Sequence, residues 1–174
     1  MMTSFQTFNV NQEKGNSMKT ELTGKYLTFR LAEEDYGIPL QKVKEINGMM
    51  PVTAVPQTPD HVKGVINLRG QVIPVSDLRL RFGMDTIAYN DRTCIIVVDI
   101  QGADSATRMG VIVDAVSEVL HVREEEIEAA PSFGALARTD YILGMANMDE
   151  SVKILLDIDR VFDPDDIAVL EKAA

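Results

Sequence analysis

The stretch YGIPLQKVKEI, residues 36–46, returns as MGVIVDAVSEV at residues 109–119. Gly37 meets Gly110, Val43 meets Val116 and Glu45 meets Glu118, all at an offset of 73 residues. Apolar character also matches at Ile38/Val111, Leu40/Val113 and Ile46/Val119. In both copies the apolar spacing changes from two to three after Leu40 or Val113, which reads as a strand bending into a single helical turn. Further along, GVINLRGQVIPVSDL at 64–78 returns as GMANMDESVKILLDI at 144–158, now at an offset of 80. Gly64/Gly144, Asn67/Asn147, Val72/Val152 and Asp77/Asp157 are identical. The change of offset places a seven-residue insertion in the second copy, near residues 131–138. Because the identities include Gly, Asn and Asp as well as strand formers, the chain reads as a duplication. It predicts two small, similar β subdomains. Neither can bury a large core alone, so a shared core is expected.

The segments around the repeat fit an all-β chain. Tyr26, Phe29 and Leu31 begin a strand, Glu33-Glu34-Asp35 is a polar turn, and Tyr36 to Leu40 is a second strand. Residues 94–98 and 109–113 are continuous apolar runs, as expected of strands buried on both faces. Ser76 or Asp77 caps a short helix through Leu78, Leu80 and Phe82, with Gly83 as its stop. Residues 1–24 read as a flexible tail, residues 25–162 as the folded unit, with copies at about 25–88 and 91–162. Residues 163–174 read as a C-terminal helix: Asp163 is the N-cap, Pro164 the first helical position, and Ile167 and Leu170 turn toward the body.

Composition excludes several classes of function. Seventeen Lys+Arg against 27 Asp+Glu give a net charge of −10. That balance opposes nucleic-acid binding and docking on anionic membranes. The apolar runs are too short to span a bilayer, and the first residues lack the features of a signal peptide. The lone Cys94 forms no intramolecular disulfide, so a reducing compartment, the cytoplasm, is expected. No catalytic, cofactor-binding or metal-binding residue is expected. His61 and His121 sit in apparent turn contexts and read as solvated, Cys94 as a small hydrophobe, and Glu124-Glu125-Glu126 as a solvated turn. An interaction module is the best general class. A small β-barrel enzyme using the acidic residues is the runner-up, and a nucleic-acid-binding barrel is third.

Differences between the copies are more telling than identities. The recurring Gly, Asn and Asp serve the scaffold, through unusual backbone angles and turn bonds. Arg69-Gly70 becomes Asp149-Glu150, so the scaffold itself does not require Arg69. Two readings of Arg69 stand: a function specific to one copy, or a local salt bridge with Glu45.

The strings YGIPLQKVKEI, TPDHVKGVINLRGQVIPVSDLRLRFG and GVIVDAVSEVL resemble the bacterial chemotaxis coupling protein family, CheW. The resemblance runs from Lys25 to the C-terminal helix; Gly64, Asn67, Leu68, Arg69, Gly70, Pro74, Asp77 and Leu78 follow the family pattern in order. It implies a fold of two SH3-like, five-stranded β-barrels around a shared core. It implies no cofactor and a non-enzymatic adaptor that joins the cytoplasmic tip of methyl-accepting chemoreceptors to the regulatory domain of the histidine kinase CheA. The same resemblance places Val43, Glu45, Cys94 and Gly110 on the receptor side and Arg69 at the signalling-complex interface. Val43 is assigned to the receptor groove and Ile46 to the core. Cys94 departs from the commoner aliphatic residue at its position. A scaffold for a different kinase pathway, in motility or development, is the alternative within signalling.

Overall fold

The computed structural model describes residues 18–102, 105–131, 140–149, 151–162, 165, 166 and 168. Among the described residues eleven strands form two sheets. The first half supplies β1 (Gly24–Leu31), β2 (Glu34–Pro39), β3 (Val43–Gly48), β4 (Val62–Leu68) and β5 (Gln71–Asp77). The second supplies β6 (Cys94–Gln101), β7 (Ala106–Val113), β8 (Ala115–Val122), β9 (Ile127–Glu128), β10 (Ile142–Met148) and β11 (Ser151–Leu156). The polar turn is tighter than expected: Ala32 and Glu33 make it, while Glu34 and Asp35 already belong to β2.

The all-β expectation is met, but the sheets do not follow the two halves. One sheet runs β8-β1-β2-β11-β10-β9 and the other β3-β6-β7-β5-β4. Each half therefore lends its first two strands to the sheet built by the other half's remaining strands. Two parallel joints close the exchange at equivalent places: Gly37 pairs with Leu155, and Gly110 with Val75. The crossings between sheets differ. After β2 the expected helical turn is present, as a 3₁₀ turn at Leu40–Lys42. After β7 there is none. The chain crosses on Asp114 alone, whose carboxylate accepts from the Ala32 N–H at 2.7 Å and from Arg79 at 2.6 Å. An acid that anchors the bend through two donors makes a helical turn unnecessary.

The exchange explains the continuous apolar runs. Ile96, Val98 and Ile100 of β6 face a central cluster with Leu27, Phe29, Leu31, Met109, Val111, Leu156 and Phe162. Ile95 and Val97, on the opposite face of β6, pack with Ile66, Ile73, Val75 and Ile112. A third cluster of Tyr26, Val122, Ile127, Ala146 and Leu155 fills the other sheet. The central cluster draws on both halves and both sheets, so the core is shared. A stack of rings, Phe29–Tyr36–Phe82–Tyr141, runs through it with centroids 5.9, 5.9 and 5.2 Å apart.

Asp77 caps the short helix Leu78–Arg81, accepting from the Arg79 N–H at 2.9 Å. Its counterpart Asp157 caps Ile158–Val161 in the same way, at 3.1 Å. The second Asp77 oxygen accepts from the Tyr89 hydroxyl at 2.7 Å, tying down the linker between the halves. Burial, and then the bond to the Asp77 carboxylate, push the Tyr89 hydroxyl well above the ordinary tyrosine range. Tyr89→Phe is expected to cost about 1 kcal/mol, the usual net worth of one hydrogen bond. A group whose folded pKa is raised contributes below its unfolded value and loses that contribution as pH rises. Urea titrations above roughly pH 10 therefore should show Tyr89→Phe converging on the wild type.

The insertion near 131–138 falls, Pro131 excepted, outside the described residues. So do residues 1–17 of the expected tail; its remainder is ordered, since residues 18–22 form a helical turn and the Tyr26 hydroxyl donates to the Leu22 carbonyl at 2.7 Å. Of the expected C-terminal helix, Asp165, Asp166 and Ala168 are helical, and Asp163, Pro164, Ile167 and Leu170 lie outside the described residues. Among the described residues no helix is long and apolar enough to cross a membrane.

Candidate functional site

β3 is an edge strand, hydrogen-bonded only to β6. Such an edge is either protected or used. Val43 lies opposite Val98, Glu45 opposite Val97 and Gly48 opposite Cys94, with a register shift between Val43 and Glu45. Three of the five expected contact residues, Val43, Glu45 and Cys94, therefore share one ladder.

The fourth, Arg69, reaches this ladder from the β4–β5 hairpin. Arg69 (φ +53°) and Gly70 (φ +85°) are both left-handed, as a two-residue hairpin of the I′ kind demands. Asn67 Oδ1 accepts from the Gly70 N–H at 2.8 Å and stabilises the tip. Asp149 has the same backbone angle, φ +55°, in the other copy, so the turn dictates the backbone and leaves the side chain free to differ. From this tip the Arg69 guanidinium donates to Glu45 through both terminal nitrogens, one bond at 2.6 Å to Oε1 and the other to Oε2. Hydrogen bonding from Arg69 holds the Glu45 carboxyl below the usual range, and Glu45 in turn raises Arg69. Around them Lys44 and Arg108 flank Asp99 at 3.6 and 3.1 Å. The Glu45 side chain is 24% exposed and that of Arg69 is 72% exposed. The local salt bridge thus exists, and most of the arginine still faces solvent.

One assignment made on the sequence is reversed. Ile46, expected in the core, is 44% exposed. Val43 is half-buried and packs against the central cluster. β3 alternates along its length, so Val43, Glu45 and Asn47 turn to the more covered side and Lys44, Ile46 and Gly48 to the exposed one, where an edge strand has no second neighbour to cover Ile46. Gly110 does not join the ladder at all. It is buried in the middle of β7, where a Cβ would stand 2.7 Å from Ile95 Cγ2. Its glycine is explained by close packing, and it has no side chain or surface to offer a partner. Cys94 is half-buried, with its thiol 3.2 Å from the Arg92 carbonyl.

His61 is also not the solvated residue expected. It is 9% exposed, with Nδ1 2.9 Å from Ser76 Oγ and Nε2 3.2 Å from Asp166 Oδ1. The order Ser–His–Asp is that of a hydrolase triad. Ser76 is 0% exposed, however, so no substrate can reach its hydroxyl. His121 is exposed, and Glu124–Glu126 form a 3₁₀ turn with no buried residue. Among the described residues no group of three or more His, Cys, Asp and Glu could hold a metal ion.

Reading single residues missed Lys44, Asp99 and Arg108. The available signal was Asp99, which interrupts an otherwise apolar β6. Exposed apolar residues also recur by repeat position: Ile46 with Val119, at 44 and 48%, and Val72 with Val152, at 47 and 48%.

A duplicated, strand-exchanged β protein with a charged edge and paired exposed apolar positions belongs to the class of surface-presenting modules. The family model of the CheW-like domain matches residues 25–165. The chain is 37% identical to "Chemotaxis protein CheW" of Klebsiella aerogenes over 149 residues, 86% of this chain and 87% of that one. It is 34% identical to "Chemotaxis protein CheW" of Bacillus subtilis over 140 residues, 80% of this chain and 86% of that one. Among solved structures it superposes on the scaffolding protein TtCheW from Thermoanaerobacter tengcongensis with a TM-score of 0.73 at 35% identity, covering 83% of this chain and 96% of that one. The chain belongs to the CheW family, whose members are chemotaxis scaffold proteins.

Proposed function

We propose that this protein is a non-enzymatic, cytoplasmic adaptor that couples methyl-accepting chemoreceptors to the histidine kinase CheA. The observation that carries this reading is the β3 edge. It brings Val43, the Glu45–Arg69 pair and Cys94 onto one ladder, with a half-buried valine two residues from a fixed charge pair. A receptor tip is a helical hairpin, and a helix that lays an apolar face into a groove is a recurring recognition mode. Val43 supplies apolar contact, and Arg69 presents a planar donor fork to a carboxylate or carbonyl of the partner. The exposed positions Ile46, Val72, Val119 and Val152 offer apolar contact to the kinase's regulatory domain. Each contact is weak, roughly micromolar or about −8 kcal/mol. Repetition in an array supplies the avidity.

The deciding experiment is reconstitution of kinase activity from receptor, CheA and this protein, in which stimulation over receptor and kinase alone is expected. No stimulation by folded protein sinks the reading. Val43→Ala removes two methyl groups without burying a charge; it is expected to weaken receptor pull-down while CheA binding persists. Val43→Asp, by contrast, sets a carboxylate against the central cluster and should cost roughly 2 kcal/mol or more of stability. Unaltered receptor binding by Val43→Ala would remove Val43 from the contact.

A further inference from the structure

Three positions of the first half carry polar side chains where the second half is apolar. At the offset of 80, His61, Ser76 and Arg81 stand against Tyr141, Leu156 and Val161. The surrounding joint is otherwise the same. The Asp77 N–H donates to the His61 carbonyl at 2.7 Å, and the Asp157 N–H to the Tyr141 carbonyl at 2.8 Å. The rings are exchanged reciprocally: Tyr141 stacks on Phe82 at 5.2 Å, and His61 faces Phe162, the counterpart of Phe82, at 5.9 Å. The second half therefore makes this joint with a tyrosine, a leucine and a valine, without a histidine, a serine or an arginine. The scaffold does not demand them, and burying them is costly unless they are paired. Arg81 Nε is indeed buried with no hydrogen-bond partner.

In the first half the polar side chains converge on one carboxylate. His61 bridges Ser76 Oγ, 2.9 Å from Nδ1, and Asp166 Oδ1, 3.2 Å from Nε2. A terminal nitrogen of Arg81 lies 3.2 Å from Asp166 Oδ2, and its guanidinium carbon 6.0 Å from the centre of the Phe162 ring. The side chains of His61, Asp166 and Arg81 are only 10, 14 and 17% exposed. We propose that His61, Ser76 and Arg81 form a carboxylate latch, present in the first half alone, whose ligand is Asp166 and whose work is to hold the helical residues Asp165 and Asp166 against the body. Ser76 fixes the imidazole, His61 and Arg81 grip one carboxylate oxygen each, and the turn bearing Asp166 is held by that grip.

Amide hydrogen exchange, read on the peptide that contains residues 165–168, tests the latch in a cycle of variants. Asp166→Ala is expected to speed exchange of that peptide at least tenfold, while the strands keep their protection. The triple substitution His61→Tyr, Ser76→Leu, Arg81→Val transplants the second half's residues. It should speed exchange of the same peptide with little loss of melting temperature. Adding Asp166→Ala to the triple variant should then change nothing further, because the grip is already gone. If the triple variant does not fold, Arg81→Val alone supports the same cycle, with a reduced Asp166→Ala effect expected. Unchanged exchange in Asp166→Ala overturns the proposal. So does an Asp166→Ala effect of equal size with and without the grip, or a loss of protection spread equally over all strands.

Discussion

Arg69→Glu is expected to leave the melting temperature nearly unchanged and to abolish kinase stimulation in the reconstituted complex. The fold result follows from the hairpin. Asp149 occupies the matching turn position with the same left-handed backbone, so an acid is tolerated there. The Arg69 side chain is 72% exposed, and exposed ion pairs add little to stability because water screens them. The functional result follows from charge. Reversal removes the donor fork and sets two carboxylates side by side on the β3 edge, turning attraction for a partner's oxygens into repulsion. The double variant Arg69→Glu, Glu45→Arg separates the roles. If the pair serves only to hold the hairpin against β3, the swap restores stimulation. If Arg69 itself meets the partner, stimulation stays lost although the bridge is rebuilt, and this is the outcome expected. Full stimulation by Arg69→Glu would remove Arg69 from the interface. Acid adds a further check. The folded Glu45 carboxyl is held below its ordinary value, so the contribution of the pair is complete above the unfolded carboxylate range and is lost as pH falls through the lowered value. Wild type and Arg69→Glu should therefore unfold alike in strong acid.

Gly64→Ala carries the largest expected effect on stability. A Cβ at Gly64 would stand 2.0 Å from the Thr53 carbonyl oxygen and 2.9 Å from Ala54 Cα, and these are backbone atoms that cannot rotate aside. Thr53 and Val65 exchange two hydrogen bonds of 2.9 Å beside the site, so separating the segments breaks that bridge. The Gly64 φ of +139° is also a conformation that side-chain-bearing residues rarely adopt. Overpacking and backbone strain together place the loss at roughly 3 kcal/mol or more. Gly144, its counterpart, meets the Glu128 carbonyl oxygen at 3.0 Å and should lose less as alanine; Gly48 has nothing within 4 Å and should lose least. Urea denaturation of the three alanine variants checks the order. Equal losses at Gly64 and Gly48 would show that the Thr53 segment moves freely.

Much of this molecule is legible in the chain itself. The duplication, the cap at Ser76 or Asp77, the short helix that follows it and the doubly buried strands at 94–98 and 109–113 rest on local chemistry: turn geometry, cap bonds and apolar patterning operate within a few residues. The Arg69–Glu45 pair was visible as one of two readings, since opposite charges stand in the turn and in a strand of the same half. Tertiary structure alone decided the rest. The exchange of strands between halves depends on parallel pairs such as Gly37 with Leu155, which no local pattern specifies because either half's strands would satisfy the same backbone groups. The alternation of β3 put Val43 on its more covered side and Ile46 on its exposed one, and which side is covered depends on what packs against this edge strand. His61 became buried because Phe162 and Asp166, about a hundred residues away, close over it. Local sequence specifies what each segment can form, and which face is finally covered depends on neighbours that arrive only when the two halves pack.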